Sequence, residues 1–236
     1  EVVSGVLSNN SGKKVPSAKA IAMRDPIPIS IQTMFNSSGS YSNYVVPSVL
    51  VVILQQSLII GICVLGGSRA HRRFRKKFRD SPVENETAEY RYFGRALAYF
   101  LHYCSFILFY HCIIYNLFDF PRRGELLPMM VFSLVFLASV INLGMVVSQV
   151  FLRRESSMQL FLYLSIPILF LANFSWPSYL MPQWMVSISY ILPSTFAIPA
   201  WLSIEQMGAD IYEVAPKLYQ LAIQAVDHPR RRFPWK

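Results

Sequence analysis

The fold is decided by VVPSVLVVILQQSLIIGICVL, residues 45–65, which contains no Asp, Glu, Lys or Arg. Ala96 to Phe118, Leu126 to Leu152 and Ser156 to Ile204 are uncharged as well. A helix needs roughly 20 residues to cross about 30 Å of hydrocarbon, so the first three stretches can each cross once. The fourth is long enough to cross twice, or to cross once and fold back. Because none alternates like a barrel strand, we predict membrane-spanning helices.

Composition supports a polytopic membrane protein, because 53% of the 236 residues are hydrophobic and only 15% are charged. The net charge of +9 lies mainly in loops beside apolar stretches, which is typical of a topology signal rather than of nucleic-acid binding. The densest basic cluster lies between Arg69 and Arg79, directly after the first span. We therefore place this loop in the cytoplasm, residues 1–43 outside, and the segment after Ser175 outside again.

The stretch that precedes the first span carries short-range strand and turn signals. Ile27, Ile29 and Ile31 alternate with polar residues and prolines, as in an edge strand, and Asn36 to Asn43 reads as a loop. A chain that begins outside without a preceding membrane segment is expected to have lost one, so we interpret residues 1–43 as the C-terminal remnant of an outer domain.

Polar side chains inside the spans are the candidate functional residues. Gln55 and Gln56 lie near the middle of the first span, where an amide needs a partner on another helix or water in a cavity. Ser139, Asn142 and Gln149 share one face of the third span, where Gly144 permits close helix approach. Either set could join helices to one another or line a substrate path.

The fourth uncharged stretch is interrupted by Pro167, Pro177, Pro182, Pro193 and Pro199. Repeated prolines break the helical hydrogen-bond ladder and are ordinary in helices that enter the membrane and return. If residues 183–204 span instead, the basic tail 227–236 is inside, as the positive-inside rule prefers. If they re-enter, the short segment 211–226 must carry the chain inward.

Several kinds of chemistry have no sequence signature in this chain. It contains no phosphate-binding loop of the GxxxxGK[ST] type, no HExxH and no GxSxG motif. The three cysteines lie in predicted spans, and Cys104 with His111 is too widely spaced for a metal ion without further ligands. We predict no catalytic, cofactor or metal site on this chain, so any uphill transport requires a partner.

Two longer stretches carry a family resemblance. MFNSSGSYSNYVVPSVLVVILQQ (34–56) and FSWPSYLMPQWMVSISYILPSTFAIPAWLSIEQMGADIYEVAPKLYQL (174–221), with the basic loop and GRALAYF (94–100) between them, resemble the permease subunit of type-2 ATP-binding-cassette (ABC) exporters. The resemblance is to the kind with a periplasmic insertion between the first two helices. Its most specific part is the series of Pro177, Met181, Pro182, Trp184, Pro193, Gly208 and Pro216.

The resemblance implies an all-α polytopic membrane protein with about five membrane-embedded segments and the end of an α+β periplasmic domain. We expect a remnant of that domain at residues 1–43, a permease domain at 44–226 and a basic tail at 227–236. Within the permease domain we expect spans at about 44–67, 93–118, 128–152 and 158–175, a re-entrant or spanning segment at 183–204, and a short final helix at 211–226.

The implied function is outward transport of a hydrophobic or amphipathic substrate across the bacterial inner membrane. ATP and Mg would bind a separate cytoplasmic ATPase subunit. A second permease, as homodimer or heterodimer, membrane lipid and a periplasmic adaptor are the other expected partners, and nucleic acid is not one. The alternative is a membrane scaffold or degenerate partner permease that does not transport but assembles an efflux complex.

The resemblance also assigns residues to parts of the exporter. The coupling segment, Ala70 to Tyr90, would contact the ATPase, although it lacks the family's Arg-Glu-x-Gly-Thr type motif. Its candidate residues are Arg72, Arg73, Arg75, Lys76, Lys77 and Glu84. The candidate substrate path comprises Gln55, Gln56, Ser139, Asn142 and Gln149. The candidate outer gate comprises Pro177, Met181, Pro182, Trp184 and Pro193.

Overall fold

The computed structural model describes residues 41–77, 88–118, 123–151, 153–172, 176 and 178–227. These residues form helices and contain no strand. The α-helices among them are α1 (Tyr41–Lys77), α2 (Ala88–Phe109), α3 (Leu126–Val147), α4 (Arg154–Leu171), α5 (Gln183–Ser189), α6 (Pro193–Met207) and α7 (Ile211–Asp227).

The predicted outer-domain remnant lies outside the described residues, apart from its last three positions. Those positions belong to α1, which begins at Tyr41, so the helix starts inside the loop predicted over Asn36 to Asn43. The α+β part of the fold prediction has no support in the described chain, whereas the all-helical part is confirmed.

Three stretches of the described chain are long and apolar enough to cross a membrane: Asn43–His71, Tyr90–Leu117 and Leu126–Val147. The pair α5 and α6 would make a fourth if it were one broken span. α4 is not among them, since its first turn contains Arg154 and Glu155, and α7 has only 17 residues. About five membrane-embedded segments were expected, whereas the described chain contains three helices long and apolar enough to span, or four with the bent pair.

α1 organises the molecule along its length. Its 37 residues correspond to about 55 Å of helix, well beyond the thickness of the hydrocarbon core. We call its two ends the Asn43 end and the Arg69 end of the bundle. α3 runs parallel to α1, because Gly144 lies against Ile62 and Gly66 lies against Ser148.

α4 and α6 run antiparallel to α1 and cover different parts of it. The Ser157 hydroxyl of α4 donates a hydrogen bond of 3.3 Å to the Cys63 carbonyl, near the Arg69 end. α6 begins beside Gln55 and finishes at the Asn43 end, where the Gln206 amide donates to the Asn43 carbonyl at 2.6 Å. α6 therefore occupies only the half of the bundle nearest the Asn43 end.

The α5–α6 segment is bent rather than straight. The two helices meet at 82°, and Pro193 opens α6 at a position where a missing N–H costs nothing. Gly208 ends α6 in the left-handed conformation with φ 68°, which glycine adopts without steric cost. α7 then returns along α3 towards the Arg69 end, so the residues predicted as one segment over 183–204 form two helices of different direction.

α2 continues without a break into a turn of π-helix and a last short helix, and from here on α2 includes both. The α-helix ends at Phe109, a π turn covers Tyr110–Ile114, and Tyr115–Leu117 completes the stretch. In this turn the Tyr115 N–H donates to the Tyr110 carbonyl, five residues back. The extra residue allows Tyr110, His111 and Tyr115 all to be buried against the bundle.

Candidate functional site

The start of α6 is held by a side chain of α1. The Gln55 Oε1 accepts a hydrogen bond of 2.8 Å from the backbone N–H of Ser194, in the first turn of α6. The first N–H groups of a helix have no partner inside the helix, and Leu192 at the N-cap position has no side-chain acceptor. In a bilayer no water replaces such a partner, so a mid-span glutamine is needed here. Gln55 thus caps a helix that belongs to another part of the chain.

A chain of polar groups joins α2, α3 and α7 nearer the Arg69 end. The Tyr92 hydroxyl donates to the Asn142 Oδ1 at 2.9 Å, and the Asn142 amide donates to the Gln224 carbonyl at 2.6 Å. The Ser139 hydroxyl donates to the Gln224 Oε1 at 3.1 Å. The Gln224 amide in turn donates to the Tyr190 carbonyl at 2.8 Å, between α5 and α6. We call Tyr92, Ser139, Asn142 and Gln224 the polar seam.

The five predicted path residues are therefore not brought together. Ser139 and Asn142 belong to the polar seam, and Gln55 caps α6. Gln149 is exposed beyond the end of α3, where its side-chain amide donates to the Met145 carbonyl at 3.4 Å. Gln56 lies on α1 with both amide atoms buried and without a hydrogen-bond partner among the described residues.

The predicted outer-gate residues lie around α5, except for Pro177, which is outside the described residues. Pro182 precedes α5, the Trp184 side chain is 64% exposed, and Pro193 is buried at the start of α6. An open apolar cavity of about 650 Å³ separates α5 from the end of α4. Its lining residues are Pro167, Phe170, Leu171, Trp176, Leu180, Met181, Pro182, Trp184, Met185 and Ile188.

The predicted coupling residues extend from the Arg69 end. The helical backbone of α1 continues through Arg72, Arg73, Arg75, Lys76 and Lys77, whereas Glu84 lies outside the described residues. Just before them, the Arg69 guanidinium donates to the Tyr99 hydroxyl at 3.1 Å, which ties α1 to α2. The cluster is thus joined by continuous helix to Gln55 and, through it, to α6.

A buried carboxyl group that sequence reasoning missed lies at the Asn43 end of α6. Glu205 is 3% exposed and its Oε2 accepts a hydrogen bond from the Tyr115 hydroxyl. Tyr110, His111 and Trp201 complete the cluster, with the His111 and Trp201 rings stacked at 5.3 Å between centroids. The sequence signal was Glu205 itself, the first charged residue after the long uncharged stretch. Its burial could not be foreseen without the π turn.

Among the described residues no three His, Cys, Asp or Glu side chains lie where they could hold a metal ion. The described residues instead form parts that could move against one another. α1 carries the basic extension, its Gln55 caps the shorter helix α6, and an apolar cavity lies beside α5.

Comparison with known families agrees with this architecture. The family described as ABC-2 family transporter protein matches residues 3–226. The chain belongs to the ABC-2 transporter family. No curated protein and no solved structure matched the chain. Members of the ABC-2 family are membrane components of ABC transporters, so this chain is a multi-pass membrane protein of the permease type. An ABC ATPase subunit is its implied partner.

Proposed function

We propose that this ABC-2 permease subunit exports a hydrophobic or amphipathic substrate when a cytoplasmic ATPase binds ATP and pulls on α1. The hydrogen bond between Gln55 and the Ser194 N–H carries the proposal. It connects the helix with the basic extension to the helix that occupies the opposite end of the bundle. Gln55 and Arg69 are 14 residues apart, about 21 Å of continuous helix, so a displacement at one position reaches the other.

The topology follows from the charge distribution. The Arg69 end carries Arg69 and His71 with the basic residues up to Lys77, and α4 begins there with Arg153 and Arg154. Lys and Arg remain on the cytoplasmic side, so the Arg69 end faces the cytoplasm of a bacterial inner membrane. The Asn43 end then faces outward, and we propose that the residues before α1 belong to a periplasmic insertion.

In this arrangement α5 and α6 form a re-entrant outer gate. α6 begins beside Gln55 and ends beside Asn43, so it reaches inward only about 18 Å from the outer end. The 82° bend turns α5 across α6 instead of continuing its line. Outward movement of α6 would open a path next to the apolar cavity at α5.

The substrate path is proposed to pass Gln56 rather than the polar seam. Ser139 and Asn142 already use their hydrogen-bonding groups on Gln224 and Tyr92, whereas the Gln56 amide has no partner among the described residues. A second permease, identical or not, would complete the path. Exposed apolar side chains at α4 and α5, among them Leu162, Tyr163 and Trp184, offer a surface for it or for lipid.

The coupling role is tested by reversing charge in the basic extension. Arg72, Arg73, Lys76 and Lys77 are changed to Glu together, and recovery of the cognate ATPase with the purified permease is measured. The matched control changes Arg230, Arg231, Arg232 and Lys236 to Glu, an equal change of charge in the C-terminal tail. We expect ATPase recovery to fall at least about tenfold in the first variant only, a loss of at least about 1.4 kcal/mol of binding free energy. Equal recovery from both variants would exclude the assigned coupling segment.

A further inference from the structure

Glu205 is a buried ionisable side chain to which the transport scheme gives no role. It lies in α6, two residues before the helix ends, and 3% of it is exposed. A carboxylate buried without a counter-charge is costly, and a group in that position instead keeps its proton. The surroundings of its two carboxyl oxygens indicate whether the protonated or the ionised form is favoured.

The carboxyl group of Glu205 has few hydrogen-bond donors among the described residues, which favours its neutral form. Oε2 accepts from the Tyr115 hydroxyl, and Oε1 has no partner among the described residues. Glu205 also lines a small cavity with Gly124, Glu125, Leu126, Met129 and Ile204, and this cavity has no room for a water molecule. An ionised carboxylate would therefore have one donor for two charged oxygens, whereas water could supply the rest if α6 moved away.

In the described chain the titratable groups near Glu205 come from α1, α2, α7 and the segment before α3. From α2 the facing titratable groups are Tyr110, His111 and Tyr115, of which His111 stacks on Trp201. From the segment before α3 they are Arg123, whose backbone N–H donates to the Glu205 carbonyl, and Glu125 in the shared cavity. α3 contains no titratable residue, and in the outer half of α1 the described candidate is Tyr44. Around the start of α7, Asp210, Tyr212 and Glu213 are exposed. The next titratable residue of α7, Lys217, is half-buried.

The position of Glu205 links two elements that must separate if α6 moves. Tyr115 belongs to the end of α2, which the π turn rotates inward, and Glu205 belongs to α6. At Gly124 a Cβ atom would overlap the Ile204 carbonyl oxygen, so this part of α6 is packed tightly against Gly124. The hydrogen bond between Tyr115 and Glu205 also joins α2 to this part of α6.

We propose that Glu205 is a proton-binding site that latches the outer gate. The protonated carboxyl group holds α6 to α2 through Tyr115, and release of the proton to water at the Asn43 end frees α6. On closing, the carboxylate takes a proton back from water. The proposal rests on the assignment of α5 and α6 as the gate. Because the closed form holds the proton and the open form does not, raising the pH favours opening.

The first test observes the proton directly and requires no ATPase. Infrared spectra of the purified permease at neutral pH should contain a carboxylic-acid C=O band that disappears in Glu205→Gln and remains in Glu125→Gln, the matched control in the same cavity. The band should shift in Tyr115→Phe, because that variant loses the donor to Oε2. If Glu205→Gln does not accumulate, the shift in Tyr115→Phe decides the assignment. A wild-type spectrum without the band, or a band unchanged in these variants, would overturn the proposal.

The second test measures opening at the capped start of α6. Ser194 is fully buried, so Ser194→Cys, in a protein with Cys63, Cys104 and Cys112 replaced by Ala, reports exposure to an impermeant thiol reagent. The labelling rate is divided at each pH by that of a fully exposed cysteine, so that thiolate formation cancels. This ratio should rise about tenfold per pH unit through the transition, the slope for release of one proton. Glu205→Gln should label slowly at every pH, and Tyr115→Phe should label faster at every pH.

His111 is the competing explanation for any pH response, because it is buried in the same cluster. His111→Gln should keep the slope of labelling against pH. If His111→Gln abolishes the response while Glu205→Gln keeps it, Glu205 is not the proton site. These outcomes are independent of export: a permease that binds the ATPase but lacks the pH response would refute the latch and leave the proposed function standing.

Discussion

The two halves of the bundle satisfy their polar groups to different degrees. Towards the Arg69 end, helices meet through glycines, and the buried side chains of Ser139, Asn142 and Ser157 all have hydrogen-bond partners. Around α6, four buried atoms have none among the described residues: Gln55 Nε2, Ser194 Oγ, Trp201 Nε1 and Glu205 Oε1. Each such atom costs about 1–3 kcal/mol relative to a satisfied one. The first half satisfies its polar groups in one arrangement, whereas in the second half opening to water would supply hydrogen bonds to these four atoms.

The largest expected change in stability comes from adding a methyl group at the glycine contact between α1 and α4. A Cβ atom on Gly67 would lie 2.8 Å from the backbone carbonyl carbon and oxygen of Arg153, which cannot move as a flexible side chain would. We expect Gly67→Ala to lower the free energy of unfolding by about 2–3 kcal/mol. Gly61→Ala is the matched control, because nothing lies within 4 Å of its Cβ position on the same helix. Thermal unfolding in detergent compares them, and similar midpoints would refute close packing at this end.

The next largest loss of stability is expected from a substitution in the polar seam. Asn142→Ala removes the acceptor of the Tyr92 hydroxyl and the donor to the Gln224 carbonyl, so we expect a loss of about 1–2 kcal/mol. Gln149→Ala should be neutral within about 0.5 kcal/mol, as is usual for an exposed position. Chemical denaturation in mixed micelles measures both. A neutral Asn142→Ala would mean that the seam does not hold the helices.

A smaller effect on stability, with a specific effect on the gate, is expected at the cap of α6. Gln55→Ala leaves the Ser194 N–H without its acceptor and should cost about 1 kcal/mol. It should also speed labelling of Ser194→Cys, because the start of α6 is no longer held to α1. Gln56→Ala provides the comparison, since its amide makes no hydrogen bond among the described residues. Equal labelling in the two variants would show that Gln55 is not the cap.

Much of the architecture could be read from the uncharged stretches, since their length and spacing predict the helices at 45–65, 96–118 and 126–152 closely. Boundaries were less predictable. The basic residues after Leu65 remain helical to Lys77, because charged residues propagate a helix once it leaves the hydrocarbon. The third span ends at Val147, before the predicted residue 152, because the backbone tightens into turns from Ser148 to Val150.

The candidate site was predictable only in part, because hydrogen-bond partners depend on how helices meet. Mid-span position identified Gln55 as needing a partner, but not that the partner would be the N–H of Ser194, which is 139 positions away in sequence. Helical spacing placed Ser139 and Asn142 on one face but gave no sign of Gln224. The π turn in α2 has no sequence signature, so the cluster around Glu205 could be found only in the structure.

The central claim is that the segment containing α5 and α6 enters the membrane from the outer side and returns to that side. Single cysteines at Asp210 and His71, both exposed in the structure, test it in intact cells with an impermeant thiol reagent. The account predicts that the cysteine at Asp210 reacts from outside, as one at Tyr44 does, and that the cysteine at His71 reacts only after the membrane is opened. Labelling of Asp210 from the same side as His71 would mean that residues 183–204 span the membrane, which would contradict the re-entrant gate.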